Sequence, residues 1–184
     1  MSRFQPVGVV LDTCTVINLA ITGRLNLLAR IPGYRFVVTK PVIQEVTRES
    51  QKRSLQAAIQ AETIHVEKLT LEELDHFAKL RDRLGEGEAA SLALARGRGW
   101  ILASDEKGCL QNEACNLGVD ILTTPGLYAL AIAEGILSEQ DADHDRQLLE
   151  KNRFLTIGPW YSAPARAGRD VRPKPGCPVK RRPQ

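Results

Sequence analysis

Val7-Gly8-Val9-Val10-Leu11-Asp12-Thr13-Cys14-Thr15-Val16-Ile17-Asn18-Leu19-Ala20 is the stretch on which the reading of this chain turns. A β-branched run, Val7–Leu11, ends in Asp-Thr and passes directly into apolar residues at helical spacing, Val16, Ile17, Leu19 and Ala20. The pattern predicts a strand, then a helix, with the Asp12 carboxylate between them at the carboxyl edge of a sheet. Open α/β sheets bind their ligands at that edge.

Downstream the alternation repeats. Residues 24–30 read as a continuation of the first helix, stopped by Pro32-Gly33, and residues 34–38 as an aromatic, β-branched second strand. Pro41 suits the first turn of a helix whose stripe is Val42, Ile43 and Val46, with Glu45 beside it. A polar helix over 50–61 leads to a short strand over 63–66. Thr70-Leu71-Glu72-Glu73 has the form of a capping box and opens a helix carrying Leu74, Phe77 and Leu80. After Gly85-Glu86-Gly87-Glu88 comes a helix of small residues, 89–95, able to lie close against a sheet. A strand over 100–103 ends at Ser104-Asp105, and a helix runs from Lys107-Gly108 to Leu117. The strand 119–122, a helix opened by Thr124-Pro125-Gly126 and a last helix from Ser138 to about Lys151 complete the body. Strands alternating with helices predict an α/β fold, a mostly parallel sheet with helices on both faces.

Composition sets the outer limits. With 184 residues, 43% hydrophobic and 26% charged, the chain is long enough for one well-buried domain, expected over 1–158. No run reaches the ~18 uncharged apolar residues of a membrane span, and the N-terminus lacks a basic-then-apolar signal pattern, so a cytoplasmic protein is expected. Cys14, Cys109, Cys115 and Cys177 form no C-x-x-C pair, and His65, His76 and His144 lack ligand spacing; a zinc site, a disulfide framework or a catalytic thiol is not expected. The net charge of +3 is uneven. Residues 159–184 hold Arg166, Arg169, Arg172, Lys174, Lys180, Arg181 and Arg182 against Asp170, which puts +6 on the tail and leaves −3 on the body. Rich in Pro and Gly, this tail reads either as a solvated, disordered extension or as an electrostatic arm for nucleic acid.

Four acids, Asp12, Glu45, Glu88 and Asp105, each fall near a strand end or helix start. Singly each has a plain explanation: a helix cap for Asp12, a solvated face for Glu45, a favourable dipole position for Glu88, a turn for Asp105. Together they would repel, by roughly 4 kcal/mol for a pair about 4 Å apart at an effective dielectric near 20. A divalent cation removes that repulsion, and an all-oxygen donor set favours Mg²⁺ or Mn²⁺. Such ions activate water and stabilise the leaving oxygen of a phosphodiester. A phosphatase using Asp12 as nucleophile would need a second Asp two positions on, where Cys14 stands.

Residues 9–20, the segment Pro41-Val42-Ile43-Gln44-Glu45-Val46, the segment Leu84-Gly85-Glu86-Gly87-Glu88-Ala89 with Ala93-Leu94-Ala95, and Ile101-Leu102-Ala103-Ser104-Asp105-Glu106-Lys107-Gly108 together resemble the PIN-domain family, and most of all its small prokaryotic members related to VapC-type toxins. The resemblance implies a three-layer sandwich and a ribonuclease acting with Mg²⁺ or Mn²⁺ held by Asp12, Glu45, Glu88 and Asp105. Thr13, Thr15, Asn18 and Ser104 take supporting positions. It also implies an RNA substrate, an antitoxin protein as partner and a homodimer. The sequence departs from the family pattern at Cys14, commonly Ser, at Ala90, often a second Glu, and at Ser104-Asp105-Glu106, where an Asp-Asp pair is usual. Those departures support a different expectation, a PIN-like scaffold that binds nucleic acid or a protein without cutting.

Overall fold

The computed structural model describes residues 5–152. The boundary expected at 158/159 and the seven basic residues from Arg166 to Arg182 lie outside them. Five strands form one sheet in the order β3-β2-β1-β4-β5, every pairing parallel. They are β1 (Val7–Leu11), β2 (Tyr34–Thr39), β3 (His65–Glu67), β4 (Ile101–Ala103) and β5 (Ile121–Leu122). From β1 the chain first builds outward through β2 and β3, then returns to the other side of β1 for β4 and β5. The two directions part between β1 and β4, and at such a switch point the carboxyl ends of the strands leave a crevice.

Alternation along the strands divides the core in two. Val9, Leu11, Phe36, Val38 and Ala103 point into one layer, while Val10, Val37 and Leu102 point into the other. The first layer is covered by α1 (Thr13–Ile21), α2 (Lys40–Glu45), α3 (Glu49–Gln60), α7 (Thr124–Ala133) and α8 (Glu139–Lys151). The second is covered by α4 (Leu71–Leu80), α5 (Glu86–Arg98) and α6 (Cys109–Leu117). This is the α/β sandwich that the alternation predicts, with a sheet that is wholly parallel. In α5, Ala89, Ala90, Ala93 and Ala95 are all fully buried, so the small side chains let the helix sit close on the sheet.

Some local readings are corrected. Residues 24–30 do not extend α1: Gly23 takes a left-handed φ of +69°, and the chain re-forms as a 3₁₀ helix, Leu25–Arg30. The third strand begins later than expected, because the Thr63 and Ile64 N–H groups both bond to the Ala58 carbonyl at the end of α3. In α4 the stripe is displaced. Leu74 is 43% exposed, whereas Glu73 is 4% exposed and receives the Arg98 guanidinium at 3.0 Å. Arg98 also bonds Glu67 at 2.7 Å and lies over the Trp100 ring at 4.9 Å, so one cation neutralises two acids and ties α4, α5 and β3 together. Cys14 and Cys109 are free thiols. Among the described residues no helix is long and apolar enough to cross a membrane.

The capping box at Thr70 forms as expected, with Thr70 N–H donating to Glu73 Oε2 at 2.8 Å and Glu73 N–H to Thr70 Oγ1 at 3.3 Å. Thr70→Ala removes one of these two bonds. It should cost about 1 kcal/mol in urea unfolding, a Tm loss of roughly 2 to 4 °C for a chain of this size.

Candidate active site

Asp12 stands where β1 meets α1. Its N–H bonds to the Ala103 carbonyl of β4 at 2.9 Å, its backbone is extended (φ −80°, ψ 162°), and its carboxylate accepts the Thr13 N–H at 2.7 Å. It is therefore a helix cap, as one reading of the sequence has it. Capping uses one oxygen. The other, Oδ2, accepts Ser104 Oγ–H at 2.9 Å and faces the Cys14 thiol at 3.3 Å. Thr15 Oγ1 donates to the Ala103 carbonyl at 3.0 Å and so fastens α1 to the end of β4.

Asp12 is 1% exposed, and burial pushes its pKa up to about 6. Donation from Ser104, Thr13 and Cys14 works against this, and the Glu88 charge works with it. Two other acids in the described residues are as deeply buried, and each has a cation: Glu73 has Arg98 and Asp145 has Arg24, the latter at 2.6 Å. Among the described residues the ion pairs include none to Asp12, Glu45, Glu88, Asp105 or Glu106.

Glu45 closes α2 and reaches across to α1 and α5. Thr13 Oγ1 donates to its Oε2, and Gly87 N–H to its Oε1 at 2.7 Å. Gly87 permits this approach because it has no side chain: an added Cβ would lie 2.2 Å from Glu45 Oε2. Glu88, in the first turn of α5, accepts the Gly85 N–H at 3.1 Å with its Oε2. Asp12, Thr13, Cys14, Glu45, Glu88 and Glu106 line one cleft of about 430 Å³ at the switch point.

Asp105 is placed differently. Its carboxylate accepts the Thr124 N–H at 2.7 Å, the Thr124 hydroxyl and Asn18 Nδ2–H at 2.9 Å. These three donors join the end of β4 to α1 and to the first turn of α7, whose free N–H groups favour an anion. Asp105 is not in the lining of the acidic cleft, whereas its neighbour Glu106 is. Asn18 is 2% exposed, and its Oδ1 has no partner among the described residues. Thr124 and Gly87 escaped the sequence reading. Thr-Pro at a helix start and Gly-Glu-Gly before one are the local signals that mark them.

Cys14 occupies the middle of this cluster, 3.4 Å from Ser104 Oγ and 3.3 Å from the Asp105 N–H. Burial, with the Asp12 charge beside it, pushes the thiol up to about 12. It stays protonated at neutral pH and can donate to Asp12 as a hydroxyl would. A thiol raised in this way is a weak nucleophile.

The donor set fits a hard divalent cation. All the acids offer oxygen, none is neutralised by a base among the described residues, and an ionised carboxylate that holds one N–H keeps acceptor capacity on both oxygens. Among the described residues, no three carboxylate, thiol or imidazole groups are already gathered to hold an ion. A parallel α/β sandwich with carboxylates at its switch point that no cation neutralises among the described residues is the arrangement the fold and site define. A protein-family model described as PIN domain matches residues 8–157, and the chain belongs to that family, whose members are generally nucleases. No curated protein matches the chain.

Proposed function

We propose that this PIN-domain protein is an endoribonuclease that hydrolyses RNA phosphodiester bonds with Mg²⁺ or Mn²⁺. Asp12, Glu45 and Glu88 would hold the ion, with Asp105 behind them as the fourth acid of the set. The observation that carries the reading is Asp12, a buried carboxylate with no cation among the described residues, where the other two buried acids each have one. Bound at the acids, the metal would supply charge neutralisation, an activated water and stabilisation of the leaving oxygen.

The chain's own groups prepare that chemistry. Ser104 and Thr13 fix the rotamer of Asp12, and Thr13 and Gly87 fix both oxygens of Glu45, so the ligands are positioned before any ion arrives. Asn18 and Thr124 hold Asp105 against α7. The resemblance to VapC-type toxins extends the reading to a homodimeric toxin, restrained by an antitoxin protein. A second reading, a PIN-like scaffold that binds without cutting, is favoured by Ser104, which puts a hydroxyl donor on Asp12 beside the segment where the family pattern has two acids.

Metal dependence separates the two. Protein stripped with EDTA should leave a panel of RNAs intact, cleave with added Mn²⁺, and be stabilised by that ion by about 2.7 kcal/mol at one hundred times its Kd. If Mn²⁺ neither moves the melting curve nor restores cleavage of any RNA, the scaffold reading replaces the nuclease.

A further inference from the structure

A second charged cavity lies away from the acidic cleft. It is a groove of about 340 Å³ between α4, α5 and α6, rimmed by His76, Lys79, Arg83 and Arg96, with Glu113 as its one carboxylate. Leu80 and Leu117 give it an apolar floor. Glu113 is spent on Arg83 at 2.7 Å, and Lys79 meets Asp75 just outside the lining. Arg96 has no carboxylate partner among the described residues, so the groove keeps a positive charge even with both acids counted.

We propose that this groove is a phosphate subsite for a nucleic-acid strand, and this rests on the nuclease reading of the cleft. Three arguments converge. An acidic cleft repels the strand it is to cut, so a strand lying across the body, whose net charge is negative, needs basic groups outside the cleft to hold it there. Arg96 offers a guanidinium fork that no carboxylate occupies among the described residues, and Arg83 and Lys79, each shared with one acid, stand beside it. That set matches the oxygens of a phosphate, and the leucines accommodate the adjoining base or ribose. Finally, α5 connects the two places. Glu88 sits in its first turn and Arg96 in its last, eight residues or about 12 Å apart along the axis, so groove and cleft share one rigid element.

The test is fluorescence anisotropy of a labelled 12-nucleotide RNA on the full chain in EDTA, where cleavage is off. The double variant Lys79→Ala, Arg96→Ala should bind about tenfold more weakly at 100 mM salt. Its slope of log K against log salt should fall by about 1.4, at roughly 0.7 per phosphate contact. Glu113→Gln removes the carboxylate of the groove and should bind several-fold more tightly, a gain that misfolding cannot mimic. Unchanged binding and slope in both variants overturn the subsite. So does polyglutamate of equal charge displacing the RNA as well as unlabelled RNA does, because the groove then takes acidic peptide. Cleavage by wild type with Mn²⁺, scored separately, reports on the nuclease reading: a cutting enzyme with unaltered binding in the variants loses only the groove, and a non-cutting one with weakened binding loses only the nuclease.

Discussion

Asp12→Asn is expected to lower Mn²⁺-dependent RNA cleavage on the order of a thousandfold while making the metal-free protein more stable above pH 6. The loss follows from removing the best-placed ligand of an ion worth several kcal/mol to the transition state, at tenfold per ~1.4 kcal/mol. The stability gain follows from linkage. Asp12 has a native pKa of about 6, against 3.8 for the ordinary carboxyl. Between those values the native state holds a proton that the unfolded state has released, so stability falls as pH rises through the window. By pH 8 both states have released it and the cost is complete, about 3 kcal/mol for a carboxyl raised from 3.8 to about 6. Asn carries no charge to desolvate, can still accept the Thr13 N–H, and can donate to Ser104. Urea unfolding of both proteins at pH 4 and pH 8 measures the effect: the advantage of Asn should appear at pH 8 and vanish near pH 4. Equal stability at both values would mean that burial of Asp12 is relieved in solution.

The same residue shows what a sequence can and cannot disclose. The position of Asp12 was legible because strand, acid and helix follow one another within fifteen residues, and a parallel sheet admits few ways to place them. The approach of Glu45 and Glu88 to Asp12 was legible through family order alone, since their spacing of 33 and 76 residues from it carries no periodicity. Where the deciding partner is remote, local reading went astray. Glu73 was read only as the Glu of a capping box, and it also turns inward because Arg98, twenty-five residues later, neutralises it. The 3₁₀ helix after Gly23 differs from a continued α-helix by one residue in its bonding register, a difference that apolar spacing does not resolve. Asp105 met the expectation of an acid after β4, yet its bonding is decided by Thr124, nineteen residues on. Its neighbour Glu106, in the segment where the family pattern has an Asp-Asp pair, is the acid of that segment that lines the cleft.

Gly87→Ala separates the geometry of the site from the stability of the fold. In an ordinary helix this change stabilises by up to about 1 kcal/mol, because Ala loses less backbone entropy than Gly. Here the new methyl would lie 2.2 Å from Glu45 Oε2 and 2.8 Å from Thr13 Oγ1. Both are ends of side chains, so the fold can yield by rotating the Glu45 carboxylate out of the cleft rather than by moving backbone. That rotation breaks the Gly87 N–H bond and the Thr13 bond together. The two effects on stability oppose each other, and melting should stay within about 1 kcal/mol of wild type. Cleavage has no such compensation. A ligand displaced by an ångström or more loses about a hundredfold in rate, and Mn²⁺ should stabilise the variant less than wild type at the same concentration. A variant that melts normally and cuts within threefold of wild type would show that Glu45 does no more than brace α5, and would transfer its place in the site to Glu106, the remaining acid on that cleft.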